Sequence, residues 1–528
     1  MTETEQKNSY GLSRIGLRLA TLVPYLIVFS ASACTLILEI VAGRILAPVI
    51  GVSLYTWTSI IGVVLAGISV GNYIGGLIAD RFPARSTLGI ILLASSILTL
   101  VILPLISIVG ELVIDLPLLP RIVTLTAVLF LPVSVILGMV TPVVIKLELQ
   151  ELSRTGDIVG RFYAISTAGS ILGVFLTGFF LIQWIGTRPI VLGVAIVLLA
   201  MAVLFGDLWK LRAKVINILP VAVAVVATFV AFVYDDGFEW VNSGCDEESN
   251  YFCIKVRERT IQDQTVRTLT LDQLLHSYVA KEDPTFLVYG YEKITADFVA
   301  LQDYRNDSPK VLFIGGGGYT MPRLIEHRYP DWHVEVIEID PVVTRIAHEY
   351  LWLPLNTRII SYHEDARMKA RDFSSGTYDM VVGDAFNDFS VPYQLTTHEF
   401  NQQVKELLNP NGIYVVNIVD NIEIGQFLRA YVNTMQHTFD YVYVLRDDEL
   451  WGQDDRSNVT YVVVGTTQPI TAEDLDKANA AVGWHEPISS FMPGEFYDEW
   501  FTKKEPAMLT DGFVPVDQLL APVFLKSR

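Results

Sequence analysis

The stretch Val311–Arg323, VLFIGGGGYTMPR, joins an apolar run to four glycines and then to a segment with helical character. Glycine has no side chain, so the run Gly315–Gly318 allows backbone amides to approach a ligand closely. An apolar strand, a glycine-rich turn and a helix in this order predict a nucleotide-binding turn at the carboxyl end of the strand. A glycine run alone is a weak signal, so the surrounding residues decide the interpretation.

Strands alternate with helices from Lys310 onward. The segments KVLFI, VEVIEID, TRIISYHED, YDMVVGDAF and NGIYVVNIVD have strand character, and the intervening TMPRLIEHRYP and PVVTRIAHEYL have helical character. Later, DYVYVLRD and VTYVVVGT are predicted to pair as an antiparallel edge. This order predicts a doubly wound α/β sheet, a Rossmann-like (class I methyltransferase-like) domain, over residues 308–528 with a C-terminal extension.

Acidic residues follow successive predicted strands. Glu338 closes the second strand about twenty residues after the glycines, where an acid accepts hydrogen bonds from ribose hydroxyls. Asp365 ends the third strand, where a carboxylate can accept from an adenine amino group, and Asp384 ends the fourth. Asp340 precedes a proline and is interpreted as a helix cap. Each acid alone is compatible with a loop cap, but three at successive strand ends predict an adenosine pocket.

The segment Tyr319–Pro322 has no glycine at the third position of a G-x-G-x-x-G pattern. The turn therefore favours an adenosyl sulfonium over NAD as the ligand.

The first 234 residues have the composition of a membrane domain. Seven apolar runs are long enough to span a bilayer, at about 19–41, 54–78, 87–110, 122–145, 162–185, 189–206 and 215–234. The first is not a cleaved signal peptide, because six more runs follow it and no cleavage site is evident. Glycines at four-residue spacing in the second and fifth runs predict close helix packing. We therefore predict an all-α polytopic bundle with seven spans over residues 1–234.

The distribution of charge bears on location and partners. Eleven basic residues lie on the side of the N-terminus and three on the opposite side, which predicts a cell-membrane protein with a cytoplasmic N-terminus. An odd number of spans then places everything after Tyr234 outside. Residues 1–234 carry 14 basic and 10 acidic side chains, so the remaining 294 carry 24 and 47. This acidity excludes nucleic acid as a partner.

The segment between the spans and the main domain, residues 235–307, is predicted to be a linker and a small β-subdomain. FCIKVRERTI and VRTLTL have strand character and are joined by the turn-like QDQT. Cys245 and Cys253 lie just after the last span, and outside the cell such a pair readily forms a disulfide. Two thiols with no further ligand nearby make a poor zinc site.

The motifs together resemble the spermidine synthase (polyamine aminopropyltransferase) family, over roughly Asn250–Thr466. They are VLFIGGGG, VEVIEIDP, HEDAR, YDMVVGDAFND and LTTHEFNQQVKELLNPNGI. The multi-span N-terminus and the segment LTDGFVPVDQLL resemble the membrane-fused branch of that family.

The resemblance implies transfer of an aminopropyl group from decarboxylated S-adenosylmethionine, as co-substrate, to an amine such as putrescine. It implies no metal and no permanently bound cofactor, and we add a homodimer as a prediction. Asp384 is then the general base, and the nucleoside contacts Gly315, Gly316, Gly317, Glu338, Asp365 and Ala366. The implied contacts to the amine are Gln273, His276, Asp388 and Tyr393.

The chain departs from the family on the acceptor side. The family has an aspartate, which helps to bind the amine, where this chain has Gly318. Asn387 replaces the second acid after the fourth strand, and Asp388 follows it. Gln273 stands where the family has glycine, His276 lies near the usual glutamine and is equally compatible with a structural role, and YGYEKITADF matches its motif only loosely.

Two alternatives remain open at this stage. An S-adenosylmethionine-dependent methyltransferase has the same fold. A non-catalytic membrane scaffold or transport-related protein with a vestigial nucleoside site would agree with an external domain, because adenosyl donors are cytoplasmic.

Overall fold

The computed structural model describes residues 3–149, 154–207, 245–385, 391–447, 451, 459–483 and 488–526, with side chains from residue 22 to residue 523 of those ranges. The chain divides into two compact units, a helical one before residue 245 and an α/β one after it. The helical N-terminal region and the Rossmann-like C-terminal domain that the sequence predicts are both present.

The helical unit contains long apolar helices. Its elements are α1 (Glu3–Ile50), α2 (Leu54–Arg81), α3 (Arg85–Leu112), α4 (Leu118–Gly138), α5 (Val140–Glu148), α6 (Thr155–Leu176), α7 (Ile182–Ile185) and α8 (Thr187–Phe205), with a π-turn at Thr177–Leu181. Among the described residues, six helical segments are long and apolar enough to cross a membrane. They coincide with the first six predicted runs. The seventh run, 215–234, lies outside the described residues.

Glycines bring the helices of this unit into close contact. A Cβ atom at Gly71 in α2 would lie 2.2 Å from the carbonyl oxygen of Val135 in α4, so no larger residue fits there. In α6, a Cβ at Gly169 would lie 2.2 Å from the carbonyl oxygen of Phe29 in α1. The close helix packing predicted for these glycines is therefore present.

A four-stranded antiparallel sheet begins the second unit. Its strands are β1 (Glu247–Glu248), β2 (Cys253–Ile261), β3 (Gln264–Leu271) and β4 (Leu274–Ala280), in sequential order. Gln262 and Asp263 form the turn between β2 and β3 with φ of +47° and +63°, and a tight two-residue hairpin requires this backbone. The sequence predicted β2 and β3 but not β4. Cys245 and Cys253 form a disulfide, with Cα atoms 5.3 Å apart.

An eight-stranded sheet forms the centre of the second unit. Its strands are β5 (Lys310–Ile314), β6 (His333–Ile337), β7 (Ile360–Tyr362), β8 (Tyr378–Gly383), β9 (Leu408–Asp420), β10 (Tyr441–Arg446), β11 (Val459–Thr466) and β12 (Ser490–Phe491). The order is β12-β10-β11-β9-β8-β5-β6-β7, with β5 to β9 parallel and β10 to β12 antiparallel. Strands β10 and β11 pair as predicted, and β12 extends the sheet beyond β10. Strand β7, at the edge of the sheet, is shorter than predicted.

Helices cover both faces of this sheet. They are α9 (Gly290–Arg305), α10 (Thr320–Arg328), α11 (Pro341–Tyr350), α12 (Ala366–Lys369), α13 (His398–Leu407), α14 (Phe427–Gln436), α15 (Ala472–Ala481), α16 (Gly494–Thr502) and α17 (Val516–Lys526). Two clusters of buried apolar side chains form the cores. Strands buried on both faces are expected to be apolar throughout, which explains the KVLFI pattern of β5. Asp340 caps α11 as predicted, accepting from the Val342 amide at 3.0 Å.

The strand order creates a crevice at the carboxyl ends of β5 and β8. Strand β5 is hydrogen-bonded to β6 on one side and to β8 on the other. The chain therefore leaves β5 and β8 in different directions, which is the switch point where open α/β sheets bind ligands. The glycine turn follows β5, and Asp384 follows β8.

Candidate active site

The glycine turn packs directly against the backbone that carries Asp384. Gly315 has φ of +99°, and a Cβ atom there would lie 2.2 Å from the carbonyl oxygen of Asp384. The Gly315 amide donates a hydrogen bond to the backbone carbonyl oxygen of Ile337 at 2.8 Å. The Asp384 amide donates to the backbone carbonyl oxygen of Ile314 at 2.9 Å. The positive φ and the close approach both require glycine. The turn and the acid after β8 are therefore held in a fixed relation.

Glu338 binds the backbone amides of this turn. Its carboxylate accepts from the amide of Gly316 at 2.8 Å, from that of Gly317 at 3.4 Å and, through Oε1, from that of Asp340 at 3.0 Å. Burial raises the pKa of Glu338, and the backbone hydrogen bonds oppose that rise. The side chain also lines the cavity described below. A carboxylate in this position can accept hydrogen bonds from the hydroxyl groups of a ribose placed over the glycines.

Asp365 has a structural contact as well as access to the cavity. It is the N-cap of α12, and its carboxylate accepts from the Met368 amide at 3.1 Å. Asp365 and the buried Ala366 both line the cavity. The Met368 amide binds Oδ1 of Asp365, so the carboxylate can still accept further hydrogen bonds from a ligand.

Asp384 is the acid at the centre of the site. Its Oδ1 accepts a hydrogen bond from Nδ2 of Asn417 in β9 at 2.6 Å, and the hydroxyl of Tyr291 in α9 also donates to the carboxylate. Burial raises the pKa of Asp384 to about 6, while the two hydrogen bonds act to lower it. The group is therefore mostly ionised at neutral pH and basic enough to accept a proton.

An aromatic wall lies behind this acid. The rings of Tyr289 and Tyr291 are 5.4 Å apart, and those of Tyr278 and Tyr289 are 5.0 Å apart. The Tyr289 hydroxyl donates to the carbonyl oxygen of Leu275 at 2.6 Å, which ties the start of α9 to strand β4. Burial raises the pKa of Tyr291 well above its usual value, so the phenol remains a donor to Asp384.

Two further titratable groups near Asp384 are uncharged at neutral pH. Burial raises the pKa of Glu292 to about 8, and the charge of Asp384 adds to this effect. Glu292 is 2% exposed, and its Oε2 has no hydrogen-bond partner among the described residues. Burial lowers the pKa of His276 to about 4, and its Nε2 likewise has no partner in the described part of the chain.

The space beside Gly318 is filled by strand β4. A Cβ atom at Gly318 would lie 2.6 Å from Cβ of Ser277 and 2.8 Å from Cγ2 of Val279. The Gly318 amide donates to the Ser277 hydroxyl at 2.9 Å. An aspartate at this position would therefore clash with β4, so the missing acid reflects the packing of the two sheets.

These elements enclose a cavity of about 290 Å³. It is lined by residues from both sheets, including Tyr251, His276, Glu338, Asp365, Asp384 and Tyr393. Its size is near the lower limit of small-molecule sites. Its described lining contains four carboxylates, those of Glu338, Glu364, Asp365 and Asp384, and no lysine or arginine.

Most of the residues singled out in the sequence come together here. Gly315, Gly317, Glu338, Asp365, Ala366, Asp384, His276 and Tyr393 line the cavity, and Gly316 binds Glu338. Gln273 does not line it, because that residue lies exposed in the turn between β3 and β4. Asp388 lies outside the described residues.

The sequence did not identify three contributors to the site. Tyr291 lies within the segment YGYEKITADF, which matched its family motif only loosely. Asn417 is a polar residue in the otherwise apolar strand segment VVNIV, and such an interruption is a usable signal. Tyr251 lines the cavity from the loop before β2, and burial with the nearby acids raises its pKa.

The family comparison identifies the domain around this site. Residues 290–447 match the spermine/spermidine synthase domain. The chain is 36% identical over 110 residues to the polyamine aminopropyltransferase of Vibrio vulnificus (strain CMCP6), covering 20% of this chain and 37% of that protein. It is 30% identical over 210 residues to the probable polyamine aminopropyl transferase of Bifidobacterium longum (strain NCC 2705), covering 40% and 45%. The matches thus span less than two thirds of these curated relatives.

Among solved structures, a probable spermidine synthase from Corynebacterium glutamicum ATCC 13032 is similar, with a TM-score of 0.43 and 21% identity. That similarity covers 50% of this chain and 95% of the other. The predicted resemblance to the spermidine synthase family is confirmed for the C-terminal region, which contains a match to the synthase domain and is similar to curated aminopropyltransferases. The helical N-terminal region is an extension consistent with the fused branch.

Proposed function

Because residues 290–447 form a spermine/spermidine synthase domain, we propose that this chain transfers an aminopropyl group from decarboxylated S-adenosylmethionine to a primary amine. The observation that carries the proposal is Asp384. Its carboxylate has a pKa of about 6 and lies at the switch point of the sheet, and its backbone packs against the glycine turn. This arrangement brings a general base to the end of a nucleoside-sized cavity.

The glycine turn and the neighbouring acids hold the donor in this proposal. The adenosine lies along Gly315–Gly317, with the ribose hydroxyls on Glu338 and the adenine amino group on Asp365. The sulfonium then points toward Asp384, which follows the adjacent strand. Binding in this orientation contributes to the rate by proximity, because the attacking nitrogen and the methylene carbon are held together.

The chemical step needs a base and no metal. The amine nitrogen attacks the methylene carbon bonded to the sulfonium, forming a C–N bond as the C–S bond breaks. The sulfur keeps the electron pair and leaves as the neutral thioether of methylthioadenosine. Asp384 accepts the proton that the nitrogen loses, while Tyr291 and Asn417 hold its carboxylate in place.

The charge of the cavity favours binding of decarboxylated S-adenosylmethionine over binding of S-adenosylmethionine itself. Four carboxylates and no lysine or arginine occur among the described lining residues. The carboxylate of S-adenosylmethionine would face like charges here, whereas the decarboxylated compound adds only positive charge. This difference supports aminopropyl transfer over the methyltransferase alternative.

Calorimetry on the full chain in detergent tests the donor. We expect decarboxylated S-adenosylmethionine and methylthioadenosine to bind, and S-adenosylmethionine to bind at least tenfold more weakly, as a difference of about 1.4 kcal/mol would produce. Tighter binding of S-adenosylmethionine with release of S-adenosylhomocysteine would favour methyl transfer. Absence of binding by all three would favour the non-catalytic alternative.

Release of methylthioadenosine in the presence of amines tests the base. The substitution Asp384→Asn should abolish transfer while nucleoside affinity stays within about threefold, since Asp384 acts on the acceptor. Glu338→Gln is the matched comparison and should weaken nucleoside binding itself. Retained turnover in Asp384→Asn would refute the assigned base.

A further inference from the structure

The carboxylates of the cavity divide into two groups by position. Glu338 and Asp365 follow β6 and β7, on the donor side, and Glu364 adjoins Asp365 and forms an ion pair with Lys369 at 3.1 Å. Asp384 follows β8. Of the described lining residues, it is the one carboxylate left for the acceptor.

The part of the lining that comes from the β-subdomain has no charged side chain among the described residues. His276 in β4 lines the cavity beside the apolar side chains of Leu271 and Phe252. Its ring is neutral at physiological pH because burial lowers its pKa to about 4. Its Nε2 is buried and has no hydrogen-bond partner among the described residues. A buried polar atom of this kind is uncommon and is available to a ligand.

Strand β4 also fills the space beside Gly318, where the family has an aspartate. Ser277 and Val279 occupy the region next to Gly318, and the Ser277 hydroxyl is already hydrogen-bonded to the Gly318 amide. The rim of the cavity is formed by half-exposed apolar and aromatic groups, those of Tyr251 at 41%, Ile339 at 37% and Tyr393 at 60% exposure. These residues offer contact to an uncharged chain.

From these observations we propose that the acceptor is a monoamine whose far end is polar but uncharged, such as an amino alcohol, with that end against His276. This inference rests on the proposed function, because it assigns Asp384 to the attacking nitrogen. Among the described lining residues the β-subdomain contributes no carboxylate, so the second ammonium of a diamine would lack a partner there, and desolvating an unpaired charge is costly. A hydroxyl in the same place would instead supply a partner for Nε2.

Three amines of equal length test the proposal by binding alone. Putrescine, 4-amino-1-butanol and n-pentylamine differ only in the terminal ammonium, hydroxyl or methyl group. Each is titrated by calorimetry into the full chain saturated with methylthioadenosine. We expect 4-amino-1-butanol to bind at least tenfold more tightly than putrescine and more tightly than n-pentylamine. Putrescine or n-pentylamine binding as tightly, or no binding of 4-amino-1-butanol, would overturn the proposal.

Substitution of His276 supplies a matched pair of variants. His276→Asp adds a carboxylate at the far end, so the preference should shift toward putrescine by at least tenfold. The asparagine in His276→Asn has nearly the same shape as the aspartate in His276→Asp but carries no charge. We therefore expect His276→Asn to show no shift in preference toward putrescine. An equal shift in both variants would contradict a role for charge at this position.

The outcomes separate this inference from the proposed function. If methylthioadenosine binds and putrescine is preferred, the monoamine inference fails while the aminopropyltransferase proposal stands. If 4-amino-1-butanol binds with the expected preference but no amine releases methylthioadenosine from the donor, the proposed activity fails and the selectivity of the site stands.

Discussion

Replacing the proposed base should stabilise the fold at neutral and alkaline pH. Burial raises the pKa of Asp384 from 3.8 to about 6. A group whose pKa is raised by folding contributes stability below its unfolded pKa and loses that contribution as the pH rises through its folded pKa. The charged carboxylate therefore destabilises the second unit above about pH 6, and Asp384→Asn removes this cost.

The size of the effect follows from the shift. Two pKa units correspond to about 3 kcal/mol, which is an upper limit because the side chain lines a cavity that water can enter. Asparagine keeps the shape, and its amide oxygen can still accept from Asn417. The gain in free energy of unfolding should be below about 1 kcal/mol at pH 4, rise between pH 4 and 7, and then level off.

Thermal unfolding of the full chain in detergent between pH 4 and 8 measures this gain. In a unit of this size, 3 kcal/mol raises the midpoint by roughly 5 to 10 °C. Asp331→Asn, at an exposed position, provides a control for the loss of a carboxylate outside the site. The reasoning is wrong if Asp384→Asn is no more stable than the parent at pH 8, or if its gain does not grow with pH.

Three further predictions concern the hydrogen bond to the base, the glycine turn and the cysteines. Tyr291→Phe removes a donor that lowers the pKa of Asp384, so the acidic limb of the pH–rate profile should move to higher pH by about one unit. Gly315→Ala places a Cβ 2.2 Å from the Asp384 carbonyl oxygen, so nucleoside affinity should fall at least 100-fold by calorimetry, a loss of about 2.7 kcal/mol. Cys245 and Cys253 should react with a maleimide only after reduction, and from the outer side if the predicted topology holds.

The first two of these predictions have a control in the same chain. Tyr289→Phe loses a hydroxyl that binds a backbone carbonyl, so it should leave the pH of the acidic limb unchanged. Gly376→Ala meets a similar positive φ of +63° in open surroundings and should cost about 1 kcal/mol of stability without loss of binding. An unshifted limb in Tyr291→Phe, retained affinity in Gly315→Ala, or labelling before reduction would contradict the respective prediction.

The donor side of the site could be predicted because local patterns determine it. In a parallel sheet the carboxyl ends of neighbouring strands lie at one edge, so Glu338, Asp365 and Asp384 converge once the strands are assigned. The sequence does not show that Glu338 also binds the amides of the turn, since that contact depends on the path of the loop.

The acceptor side depends on contacts between distant segments. Tyr291 reaches Asp384 from the first turn of α9, and Asn417 reaches it from the neighbouring strand, so neither has a local signal of its own. Gln273 was aligned with a binding motif but forms the turn that starts β4, and a two-residue turn points its side chain to solvent. The sequence analysis does not predict strand β4, because the residues around Gln273 and His276 resemble a family motif there.

The contact between Ser277 and Gly318 limits where a fragment of this protein can begin if its cavity is to stay intact. The synthase match begins at residue 290, yet the wall that closes the glycine turn belongs to a strand that ends at Ala280. A fragment cut at the border of the match would expose the turn and lose His276. The smallest piece with an intact cavity therefore starts before β2, and under the proposed function an exchange of this hairpin between relatives would alter which amine is accepted.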